Sequence, residues 1–161
     1  MAARRGRRSD PLAIALRYLA SRSRSEAQIR QRLTSRGVSA EDVDAALERL
    51  RELGYVDDAE FAAAVIRSRT QGRARGLRLV EEELRAKGVS DDVATEALDH
   101  WYGDEVNVAR PVAERQAARL HGFGFAEFRQ RLGSFLVRRG FAHATAESLV
   151  TELWETYGVP D

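Results

Sequence analysis

The sequence predicts an all-α fold, three tandem three-helix repeats forming an elongated, curved stack, and three observations predict it. Apolar residues recur at helical spacing along almost the whole chain, as in Val43, Ala46, Leu47, Leu50 and Leu53, in Leu77, Val80 and Leu84, and in Phe128, Leu132, Phe135 and Leu136. Alternating apolar and polar runs bounded by turn residues, the mark of strands, are absent. One pattern also returns at intervals of 51 and 52 residues, around Gly37, Gly88 and Gly140. In each copy a leucine stands four residues before the glycine (Leu33, Leu84, Leu136) and an apolar residue directly follows it (Val38, Val89, Phe141). Further apolar positions match at Leu47, Leu98 and Val150, and at Leu50, Trp101 and Leu153.

Start and stop signals divide this pattern into about nine helices. Asp10 before Pro11 suits a helix start, because proline at the first helical position gives up only an amide that has no partner there. Ser25 with Gln28 and Asp57 with Glu60 have capping-box spacing. Gly37, Gly54, Gly72, Gly88 and Gly140 each follow a periodic segment, where a left-handed C-terminal cap favours glycine. The expected organisation is a disordered basic arm over residues 1–10 and repeats over 11–56, 57–103 and 104–158. The third repeat is the least regular: Pro111 lies in its first helix, Gly133 is expected to interrupt its second, and the GFGF run at 122–125 offers no polar cap. A stack whose units touch mainly their neighbours has a long exposed face, and a monomer is expected.

Composition limits the function. There is no cysteine, so disulfides and thiolate metal sites are excluded, and a reducing, cytoplasmic setting is expected. No apolar run approaches the roughly 18 residues that span a bilayer. The net charge of +1 conceals an uneven distribution. Residues 1–8 hold four arginines and no acid, Arg67–Gly88 seven basic residues against three acids, and Glu41–Glu60 eight acids against two arginines. A bipolar surface suits a partner bearing both signs.

Catalysis is not expected. His100, His121 and His143 are isolated, with no second ligand at helical spacing, so no metal or other cofactor is called for. No Gly-x-Ser-x-Gly elbow and no phosphate-cradling loop ending in Gly-Lys-Ser/Thr is present. Asp57 and Asp58 are adjacent at a helix start, where they cannot face each other across a substrate, and Asp57 is read as an N-cap with Phe61 packing inward. Trp101 and Trp154 are read as core residues. The candidate binding residues are arginines: Arg67, Arg69, Arg73, Arg75 and Arg78 around a GRARG loop whose glycines give it freedom, and Arg129, Arg131, Arg138 and Arg139 on a later amphipathic helix.

Four fragments, in order, resemble the RecX family of bacterial recombination regulators: ALRYLASRSRSEAQIRQRL, LRELGYVDDAEFAAAVIRSR with its Gly-Tyr-Val-Asp-Asp run, GLRLVEEELRAKGVSDDVATEAL, and FLVRRGF at 135–141. The resemblance extends from about Pro11 to Gly158. It implies a regulator that lodges in the groove of the RecA recombinase filament on single-stranded DNA and restrains ATP hydrolysis, strand exchange and the co-protease role. Two other readings compete with it, a helical-repeat protein acting directly on DNA or RNA and a purely structural adaptor between proteins.

Overall fold

The computed structural model describes residues 10–102 and 104–158, so the predicted basic arm, apart from Asp10, lies outside the described residues. Nine α-helices and no strand occur among those residues. They are α1 (Pro11–Leu19), α2 (Glu26–Ser35), α3 (Ala40–Glu52), α4 (Asp58–Thr70), α5 (Leu77–Ala86), α6 (Asp91–Tyr102), α7 (Glu105–Ala117), α8 (Phe125–Arg138) and α9 (His143–Tyr157), with a short 3₁₀ turn at Ala118–Leu120 after α7. The helix pairs that pack extensively all fall within α1–α3, α4–α6 or α7–α9. Each triplet also has its own apolar cluster.

The repeated Leu-to-Gly spacing is a helix stop. Gly37, Gly88 and Gly140 have φ of +77°, +78° and +88°, a region costly for residues with a Cβ. The chain then turns back, so that the amides of Val38, Val89 and Phe141 donate to the carbonyls of Leu33, Leu84 and Leu136 at 3.2, 3.1 and 3.2 Å. The three leucines are fully buried, which is why a leucine and an apolar residue recur on either side of the glycine. Replacing any one of them by alanine is expected to destabilise the protein by roughly 2–5 kcal/mol, measured by urea denaturation, because a core cavity would remain.

Several expectations need correction. Leu53 is 44% exposed although it continues the stripe of α3, because the helix ends there and Val56 enters the core instead. Gly133 does not interrupt α8, which runs unbroken through it. The Ser25–Gln28 capping box is complete, but only half of the second one forms. Asp57 accepts from the amides of Ala59 and Glu60, while the Glu60 carboxylate turns to Arg67 at 3.0 Å.

The triplets are joined twice by the same device. The N-terminus of the middle helix of one unit meets the C-terminal cap of the middle helix of the next. At the first junction Ser25 Oγ donates to the Lys87 carbonyl, and a Cβ on Gly88 would lie 2.3 Å from that of Ala27. At the second, the Gly76 amide donates to the Arg139 carbonyl at 2.8 Å, and Gly140 packs against Leu79. An acid at the start of the following unit closes each junction. Asp58 accepts the Glu26 amide at 2.9 Å, and Glu105 accepts the Leu77 amide at 3.3 Å. The second aspartate of the Asp57–Asp58 pair is thus a fastener between units, and burial pushes its carboxyl above the ordinary range.

Candidate partner-binding surface

The arginines near the GRARG segment are positioned by α4 and α5, and most are already engaged. Arg67 pairs with Glu60 and Arg78 with Glu82, at 3.0 and 2.7 Å on exposed helix faces, contacts of little energetic weight. Arg69 grips Glu83 with two parallel bonds of 2.8 Å, while Lys87 and Arg75 stand 3.5 and 3.8 Å from the same carboxylate. The hydrogen-bonded Arg69 guanidinium holds the Glu83 carboxyl below its ordinary range, against the opposing effect of burial.

The GRARG segment is not a free loop. Ala74 is buried in the apolar cluster of the third unit, and the Arg75 amide bonds back to the Arg69 carbonyl at 2.8 Å. Two arginines from the third unit hold the segment by its backbone. Arg139 donates to the Arg73 carbonyl at 2.7 Å and to the Ala74 carbonyl at 2.7 and 3.1 Å, and Arg115 donates to the Gly72 carbonyl at 3.1 Å. Of the two glycines, Gly72 supplies a left-handed turn (φ +62°), whereas Gly76 supplies room rather than freedom. A Cβ on Gly76 would lie 2.0–2.1 Å from the backbone of Gly140 and Phe141.

This anchoring creates a basic surface that the sequence did not reveal. Arg73, Arg115, Arg119 and Arg139 line one pocket of about 270 Å³, floored by Val112 and Phe135. Among the described residues none of the four forms a salt bridge. The half-buried Arg139 guanidinium is pushed below its ordinary pKa by burial first, then by the charges of Arg75, Arg115 and Arg73. Gln116 and Phe135 also line a second depression along α8, where Arg131 and Arg138 stand. Arg138 and Arg129 then border a groove of about 930 Å³ between α8 and α9. Gly133 faces Val150 in this groove, with its nearest atom 4.0 Å from where a Cβ would be.

The predicted candidates therefore separate. Arg73, Arg131, Arg138 and Arg139 line two adjoining depressions that share Gln116 and Phe135 and form one furrow on the α7 side of α8, although Arg131 also pairs with Glu127 at 2.6 Å. Arg129 lies across the exposed crest of α8, in the α8–α9 groove, and approaches Glu147 at 3.5 Å. Arg67, Arg69 and Arg78 lie outside the furrow's lining and are each paired with a glutamate, and Arg75 lies between the two groups. Sequence reasoning missed Arg115 and Arg119. The signal available was faint: an Arg-x-x-x-Arg step on α7 and the turn that follows it, which puts both on one face.

Comparison with known proteins agrees with this architecture. Residues 12–50 match the first three-helix domain of RecX and residues 57–98 the second. The regulatory protein RecX of Thermobifida fusca is 37% identical over 91% of this chain and 80% of its own length, and that of Prosthecochloris aestuarii is 38% identical over 86% and 90%. Against several longer relatives the chain spans about half their length. The crystal structure of RecX from Lactobacillus salivarius superimposes with a TM-score of 0.84 over 91% of this chain and 96% of that one, at 21% identity, which speaks to the fold alone. With two successive domain matches, relatives above one-third identity across most of its length and the three-triplet stack, the chain belongs to the RecX family of regulatory proteins.

Proposed function

We propose that this protein binds the RecA recombinase filament on single-stranded DNA and restrains its ATPase, strand-exchange and co-protease activities, so tempering homologous recombination and the SOS response without chemistry of its own. The observation that carries this reading, beyond family membership, is the furrow in which Arg73, Arg115, Arg119, Arg138 and Arg139 lack carboxylate partners among the described residues. Guanidinium groups left unpaired by the protein's own acids are available to phosphates or to acidic groups on a partner. A linear stack can also touch more than one protomer of a filament.

The test is ATP hydrolysis by purified RecA on single-stranded DNA with and without this chain. Inhibition is expected at ratios well below one chain per RecA, and unchanged hydrolysis would overturn the reading. Changing Arg73, Arg75 and Arg138 together to glutamate is expected to weaken inhibition roughly tenfold or more, and more at low salt than at high, because attraction becomes repulsion within the screening length.

The same unpaired arginines favour a second reading, direct action on DNA or RNA. In that case affinity for the nucleic acid without recombinase would fall steeply with salt, and RecA would add nothing to it.

A further inference from the structure

The arginine pocket at the second junction has a counterpart at the first, related to it by the internal repeat. There, Arg22, Val65, Ser68, Arg69, Glu83 and Lys87 line a depression between the first and second units. With the units aligned on their helix starts and C-terminal glycines, Arg22 corresponds to Arg73, Val65 to Val112 and Lys87 to Arg139. Three exchanges change the chemistry. Ser68 is replaced by Arg115, Arg69 by Gln116, and Glu83 by Phe135. The first pocket thus carries its own carboxylate, which takes two bonds from Arg69 and draws in Lys87. The second has traded the Arg69 guanidinium for that of Arg115, lost the carboxylate, and has no acid in its lining.

We propose that the pocket of Arg73, Arg115, Arg119 and Arg139 binds a phosphate group of a nucleic-acid strand, and that the bound phosphate fastens the third unit to the second. The carboxylate of the first pocket shows the chemistry: an oxyanion among the cations of Arg69, Lys87 and Arg75. Four guanidiniums in the second call for more acceptor oxygens than one carboxylate offers, and guanidinium forks match a phosphate. The furrow continues from this pocket along α8, past Arg131, which Glu127 in the same lining already pairs, to Arg138, the next cation open to a strand. Arg73 precedes α5, whereas Arg115, Arg119 and Arg139 belong to the α7–α9 unit, so an anion between them bridges the units and offsets the mutual repulsion of Arg73, Arg115 and Arg139. The nucleic-acid identity of the ligand rests on the proposed function, but the anion site itself does not.

The experiment is thermal unfolding of the whole chain, without recombinase, at constant ionic strength in chloride, in inorganic pyrophosphate, with a short oligothymidylate, or with a hexaglutamate peptide. Pyrophosphate at tenfold excess over its dissociation constant is expected to raise Tm by roughly 3–6 °C, as linkage requires for a chain of this size. The oligothymidylate is expected to do the same and hexaglutamate much less. The surface variant carrying Arg115→Ser and Arg119→Ser is expected to keep the helical spectrum of the parent and lose the shift. No shift in the parent, an equal shift in the variant, or a larger shift with hexaglutamate overturns the proposal. If the shift appears while RecA hydrolysis is untouched, the anion site stands and the recombinase reading fails. Inhibition without a shift does the reverse.

Discussion

Gly76→Ala is expected to lower the free energy of unfolding by about 3 kcal/mol, at the upper end of what overpacking costs. The glycine has an ordinary φ of −67°, so no conformational argument protects the position. The penalty comes from space: the added carbon would meet the Gly140 carbonyl carbon at 2.0 Å and the Phe141 nitrogen at 2.1 Å. These are backbone atoms that cannot swing aside. The second junction would have to open, breaking the Gly76–Arg139 bond and pulling Ala74 from the core of the third unit. Gly124→Ala is the control. Gly124 caps the middle helix of the third unit in the same way, at φ −66°, with nothing within 4 Å of the added carbon. Its replacement is expected to change stability by less than about 0.5 kcal/mol, as at most surface positions. Urea denaturation of both variants checks the contrast, and a Gly76→Ala protein as stable as its parent would show that the units do not meet here.

Glu105→Ala is expected to cost roughly 3–5 kcal/mol, because a charged acceptor that satisfies several buried donors would vanish without replacement. The Glu105 carboxylate, 7% exposed, accepts the Leu77 amide at 3.3 Å, the Ala142 amide at 3.2 Å and the Thr145 hydroxyl at 2.6 Å. Those donors lie at the N-termini of α5 and α9, and Glu105 itself begins α7. Three helix N-termini therefore converge on one negative charge, an arrangement that their dipoles favour. Glu105→Gln keeps the shape and one acceptor oxygen but turns an NH₂ toward N–H donors, so an intermediate loss is expected. Thr145→Val removes a single bond and is expected to cost about 1 kcal/mol. Hydrogen exchange at the Leu77 and Ala142 amides provides the local readout. Acceleration at both in Glu105→Ala, beyond the global loss of stability, identifies the carboxylate as their tether.

The sequence by itself determined the helix order, the threefold repeat and the residues that end each middle helix. These depend on short-range physics. Apolar periodicity selects a buried face within one helix, and the Leu33, Leu84 and Leu136 carbonyls are capped by amides only five residues away. Even there the sequence alone failed at Leu53, where the stripe outlasted the helix, and at Gly133, where packing in α8 overrode a weak helix former. Tertiary structure decided which arginines are available. Arg69 and Arg73 look alike in the sequence, four residues apart, but Glu83 neutralises one while the other faces Arg115 and Arg139. Whether a guanidinium is neutralised depends on groups brought near it by the fold, in this case from up to 66 residues away, and no local pattern encodes that distance. The same holds for the GRARG segment, whose glycines suggest freedom until the third unit is seen to hold its backbone.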